Sequence, residues 1–129
     1  MSAAQRPARP LRKDQQRALD AYAYAKAAQE SESLEEYQIA VQSFAATLLR
    51  SGLAAAVSTL ERSVKERNGF QLLLHALAKA DNASDPTGWP AKIRSLPLEQ
   101  YILTTRELIA LLVWMRRACR ALDGKQVNA

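Results

Sequence analysis

Between Leu34 and Leu48 the large apolar residues fall at Leu34, Tyr37, Val41, Phe44 and Leu48. These alternating steps of three and four put all five on one face of an α-helix. Just before them, Ser33-Leu34-Glu35-Glu36 matches a capping box, in which a serine and a glutamate three residues on satisfy each other's backbone donors. Ser51-Gly52 breaks the pattern, and a connection this short favours antiparallel neighbours. A second stripe then follows at Leu53, Val57, Leu60 and Val64, with Ser58, Glu61, Arg62 and Lys65 opposite. Asn68-Gly69 is expected to end this helix, to about Arg67, in a left-handed cap. From Phe70 to Ala80 the chain is apolar over most of a helix circumference, which predicts a central position. The last helix, Leu98 to Leu122, carries a seam of Tyr101, Thr105, Leu108, Leu112, Met115, Cys119 and Leu122. A second flank of Ile102, Ile109 and Val113 widens it enough to contact two neighbours, so this helix is expected to be the spine of the molecule. An Ala-rich first helix runs from about Leu11 to Gln29, with Pro10 tolerable in its opening turn.

Breaker placement supports the same picture. All four glycines (Gly52, Gly69, Gly88, Gly124) stand at expected helix ends. The five prolines lie near the N-terminus, at Pro7 and Pro10, or in one stretch at Pro86, Pro90 and Pro97. Long segments without breakers suit helices rather than a sheet. The expected fold class is all-α: one compact bundle of about five main helices over residues 11–123. A short extra helix is expected in the 82–97 connection. Flexible segments at 1–10, a basic arm, and 124–129 complete the chain.

With 129 residues and 48% hydrophobic content, the chain can bury one modest core. The longest apolar run, Leu108–Met115, is too short for a bilayer, which needs about 20 residues. No signal-peptide pattern precedes it, and a single cysteine fits a reducing compartment. A cytoplasmic protein without membrane contact is expected. Lys and Arg outnumber Asp and Glu by 18 to 13, a net charge of +5 that suggests a polyanionic partner without naming one. The charges are not evenly spread. Glu30, Glu32, Glu35 and Glu36 form an acidic stretch, whereas Arg6, Arg9, Arg12, Lys13 and Arg17 at one end and Arg116, Arg117, Arg120 and Lys125 at the other are basic.

Nucleophilic catalysis needs an activated nucleophile, a base and an orienting group, and the sequence does not offer these in combination. His75 stands alone between leucines, and Cys119 lies on the buried seam of the last helix. No His/Cys cluster has metal-ligand spacing, and isolated glycines cannot cradle a phosphate. Neither an enzyme, a cofactor nor a small-molecule substrate is expected. Trp114 is expected in the core. Trp89, beside Pro90 in the long connection, suits either the core or an anchor for a protein partner, since tryptophan is favoured at interface hot spots.

Two stretches carry a resemblance. Tyr37 to Arg62, YQIAVQSFAATLLRSGLAAAVSTLER, is a helix, a tight Gly-Leu break and a second helix; Tyr101 to Leu122, YILTTRELIALLVWMRRACRAL, opens Tyr-x-x-x-Thr-x-Glu and continues Leu-Leu-x-Trp-Met-Arg-Arg-Ala. In this order and at this length they resemble the small subunit, the fifth, of the type III-B CRISPR effector, the Cmr complex. Ser51 departs from the Asn common before Gly-Leu in that family, and Glu61-Arg62 is less basic than usual there. The resemblance implies a non-catalytic subunit that stacks with further copies of itself as a minor filament, contacts other Cmr subunits, and lines the groove where target RNA pairs with guide RNA. Arg116, Arg117 and Arg120 are the leading candidates for RNA contact, with Arg50 and Lys65 after them. Arginine suits phosphate because its planar fork donates two parallel hydrogen bonds. The same arginines also complement the negative end of the last helix's dipole. Two other readings stay open: a helix-turn-helix DNA-binding regulator, disfavoured by the apolar opening Leu53-Ala54-Ala55-Ala56-Val57, and a protein-only helical adaptor.

Overall fold

Tyr37, Val41, Phe44 and Leu48 are buried in the computed structural model, and Leu34 is partly buried against the same core. The structure describes residues 12–65 and 67–123. The basic arm at 1–10 and the tail at 124–129 lie outside the described residues, as do Leu11, Arg6, Arg9 and Lys125. Six helices follow in order: α1 (Lys13–Glu30), α2 (Leu34–Ser51), α3 (Leu53–Ser63), α4 (Asn68–Ala80), α5 (Trp89–Arg94) and α6 (Leu98–Asp123). No strand occurs among the described residues. The short α5 is the extra helix expected within the 82–97 connection.

The centre of the bundle is α2 rather than α6. Helix α2 packs against α1, α3, α4 and α6, whereas α6 packs mainly against α1 and α2. The buried arc of α6 runs through Leu108, Leu111, Leu112, Met115, Ala118 and Cys119. Ile102 and Val113 lie on the opposite side of the helix and are 43% and 46% exposed. Of the second flank expected to meet another helix, Ile102 and Val113 are therefore open in the single chain, while Ile109 is partly buried against the core. Helix α1 packs mainly against α6, and its buried residues are small: Ala21, Ala25 and Ala28. Small residues at this spacing let two helix axes approach closely, and an ion pair between Arg17 and Glu107 (2.9 Å) ties the same two helices at the surface.

Two local expectations are corrected. Residues 68–69 open a helix instead of closing one. Helix α3 stops at Ser63, Arg67 is extended (φ −136°, ψ 120°), and Asn68 and Gly69 form the first turn of α4. Gly69 is required here by proximity, not by a left-handed backbone: a Cβ at this position would overlap Glu36 Cβ and the Tyr37 backbone nitrogen. The capping box is not formed either. Ser33 Oγ donates to the Ser31 carbonyl (3.3 Å) and accepts from Asn68 Nδ2 (2.7 Å). Glu36 accepts from the Gly69 N–H (3.0 Å) and faces the Arg67 guanidinium at 3.9 Å. The first turn of α4 arrives against the first turn of α2 with unpaired N–H groups of its own, and it captures the side chains that would otherwise have capped α2.

Gly52 alone joins α2 to α3. Its φ of +94° and ψ of 171° lie in a region open essentially to glycine. No side chain at Gly52 can cap α3; the hydroxyl of Tyr101, at the start of α6, accepts the Ala54 N–H at 2.9 Å. Tyr101→Phe should therefore lower stability by about 1–2 kcal/mol, because it strands a part-buried helix N–H while keeping the ring. Urea unfolding of the two proteins measures it, and an unchanged midpoint would mean that water replaces the hydroxyl.

Candidate nucleic-acid interface

Arg116, Arg117 and Arg120 stand on the C-terminal half of α6, all exposed. Arg116 and Arg120 are one helical turn apart and share a face, and Arg117 points about 100° round from Arg116. Among the described residues the ion pairs are Arg12–Asp14, Arg17–Glu107, Arg67–Glu36 and Arg94–Glu61. None involves Arg116, Arg117 or Arg120. Arg117 instead lies over the indole of Trp114, 4.9 Å from the ring centroid. Trp114, expected in the core, is only partly buried at its edge.

The stripe that ends in these arginines begins with apolar residues. At helical spacing Ile102, Ile109, Val113 and Arg120 fall within a narrow arc of α6. Leu49 at the end of α2 joins them in a shallow cleft shared with Ile109, Leu112, Val113 and Arg116. Leu49 is 73% exposed, the most exposed large apolar side chain together with Leu98 among the described residues. Arg50, also exposed, follows Leu49 directly but does not line this cleft. Lys65 belongs elsewhere, in the turn after α3, a helix that packs mainly against α2, α4 and α5. Arg106, exposed on the outer arc of α6 near Ile109, belongs with the basic group and was missed in the sequence. Its signal was present: it lies fourteen residues before Arg120, almost four full helical turns.

Trp89 takes the core role of its two possibilities. It is completely buried, and its Nε1 donates to Asp81 Oδ2 at 2.8 Å. It offers no surface to a partner. His75 is exposed on α4. Cys119 is buried, and burial first, then the Asp123 carboxylate, pushes its thiol up to about 11. It is therefore a neutral thiol at physiological pH and a poor nucleophile. The Tyr37 hydroxyl is buried without a hydrogen-bond partner among the described residues. Burial, followed by Cys119 and Tyr24, raises its pKa, so it stays a neutral phenol.

A surface cleft of about 370 Å³ lies between α1, α6 and the end of α4. Its carboxylates are already engaged: Glu107 with Arg17, Asp20 with Gln16 and Asp81 with Trp89. No group of three or more His, Cys, Asp or Glu is arranged to hold a metal ion among the described residues. No helix among them is long and apolar enough to cross a membrane.

Fold and surface together define a small all-α bundle whose most distinctive face is a long helix passing from a partly exposed apolar stripe into arginines that have no carboxylate partner among the described residues. Residues 13–122 match the family model described as CRISPR-associated protein (Cas_Cmr5). The chain belongs to this family, that of the small subunit of the type III-B Cmr complex. The crystal structure of a CRISPR-associated Cmr5 family protein from Thermus thermophilus has the same fold, with a TM-score of 0.78 and 24% identity over 88% of this chain and 98% of that one. A search among curated proteins finds no match.

Proposed function

We propose that this chain is a non-catalytic structural subunit of an RNA-guided, RNA-targeting Cmr ribonucleoprotein acting in antiviral defence in the cytoplasm. Copies stack as a minor filament beside the subunits that hold the guide, and together they line the groove where target and guide RNA pair. The observation that carries this reading is the set of exposed arginines at the end of α6, free of carboxylate partners among the described residues, in a member of this family. RNA duplexes are recognised through backbone and shape, for which phosphate-binding side chains suffice. One copy offers only a few contacts, so binding by the free subunit should be weak and salt-sensitive. Stacking adds contacts along one strand and raises avidity. The exposed Ile102 and Val113, with the partly buried Ile109 between them, suit contact with another subunit.

A helix-turn-helix reading is disfavoured by α3 itself. Leu53, Ala56 and Val57 in its opening turns are buried, its N-terminus is held by Tyr101, and those turns carry no polar side chain to present to base edges in a major groove.

The test is Arg116→Glu combined with Arg120→Glu in the reconstituted complex. The variant should fold and assemble, bind target RNA at least about tenfold more weakly, and show a shallower salt dependence, since phosphate contacts set that slope. Wild-type affinity and slope would reduce these arginines to helix-end charges. Failure to assemble would mark the patch as a protein–protein surface, as the adaptor reading requires.

A further inference from the structure

Among the described residues, two arginines lie over aromatic rings, in contrasting surroundings. The guanidinium of Arg67 lies 4.9 Å from the centroid of Phe70. Phe70 is buried, and Arg67 also faces Glu36 at 3.9 Å. That pair is committed to the junction of α2 and α4. The guanidinium of Arg117 lies at the same 4.9 Å from Trp114, within the range of a cation–π contact. Here the setting is open. Trp114 is only partly buried, Arg117 is exposed, and no carboxylate among the described residues pairs with it. The guanidinium carbon lies over the indole in a residue that is itself exposed. Arg116 and Arg120 stand exposed on adjoining positions of the same helix.

A planar cation held on an indole presents a preordered platform. Unpaired bases stack on arginine planes and on aromatic rings, and every base has a π-face, so such a platform is tolerant of sequence. A paired base inside a duplex has no free face to offer. We propose that Trp114 and Arg117 form a stacking site for an unpaired RNA base, with Arg116 and Arg120 holding the phosphates on either side. This rests on the RNA-binding reading above and adds to it a distinct ligand, a base rather than a phosphate, and a preference for single strands. Arg117 then differs in kind from its two neighbours, whose part is electrostatic.

The other tryptophan makes the idea measurable. Trp89 is fully buried with its N–H engaged by Asp81, so a ligand that changes fluorescence at the surface acts on Trp114. The full chain is titrated with oligoadenylate of about ten nucleotides, within the span of common single-strand sites, and with inorganic polyphosphate of equal charge. Oligoadenylate should quench tryptophan emission, and polyphosphate should bind without quenching. Arg117→Lys keeps the charge but loses the planar fork. It should weaken oligoadenylate binding about fivefold or more, in the range of one lost stacking contact, while changing polyphosphate binding less than about twofold. Equal weakening toward both probes, or none toward either, would overturn the stacking site and leave Arg117 a phosphate contact or a bystander. Binding of oligoadenylate without quenching would overturn it as well. Binding of polyphosphate but not of oligoadenylate would overturn the stacking site alone; binding of neither probe at low salt, where even one copy's few phosphate contacts should register, would overturn the RNA-contact reading of the α6 arginines as well.

Discussion

Trp89→Ala is expected to destabilise the fold by about 3–5 kcal/mol, a large effect for one substitution. Trp89 is the largest of the fully buried side chains, and Pro90 and Ile93 beside it are buried too. Together they pin the 81–97 connection onto the core, where α5 packs against α3. Removing the indole loses its transfer energy and opens a cavity that neighbouring helices only partly close. It also frees Asp81, which is partly exposed and can rehydrate, so the lost hydrogen bond adds little. A domain of this size has only about 5–15 kcal/mol to lose. Urea unfolding followed by circular dichroism should show a large fall in midpoint. A loss below about 1 kcal/mol would put Trp89 outside the core and reopen the partner-anchor role.

The second large effect is Gly69→Ala, and its sign is the informative part. Glycine inside a helix is less favourable than alanine by about 1 kcal/mol, so in open space the substitution would stabilise. Here the added methyl meets Glu36 Cβ and the Tyr37 backbone nitrogen. A backbone atom cannot rotate away, so α4 must withdraw from α2. That separation also strains the Gly69–Glu36 and Asn68–Ser33 hydrogen bonds. Overpacking of this kind costs about 1–3 kcal/mol, occasionally more, and the rigid opposing atom places this case at the upper end. Thermal unfolding decides it: a lower melting temperature is expected, and a higher one would mean that the helices do not approach this closely.

Neither substitution touches the arginines of α6. Both variants, where still folded, should retain the RNA contacts attributed to that helix. Loss of RNA affinity in a folded Gly69→Ala protein would show that the α2–α4 junction also shapes the binding face.

The sequence by itself determined the helices and most of their inward faces. Residues three and four apart meet on one side of a helix whatever the rest of the chain does. For that reason the stripes of α2 and α3 and the seam Leu108, Leu112, Met115 and Cys119 were legible before any tertiary information. The cluster Arg116, Arg117 and Arg120 was legible on the same grounds, since one helix sets its geometry. The i, i+3 spacing of Trp114 and Arg117 was legible too, but reading the arginines only as charges passed over it. Only the tertiary structure decided the rest. Whether the flank of Ile102, Ile109 and Val113 is covered depends on how many neighbours α6 has, and periodicity does not count neighbours. Ser33 and Glu36 had the spacing of a capping box, yet their partners came from Asn68 and Gly69, more than thirty residues away. Tyr101 caps α3 from forty-seven residues further along the chain. Local spacing sets which side chains point together. Which backbone donors reach them first is set by the approach of segments far apart in sequence, and that is a property of the packed chain.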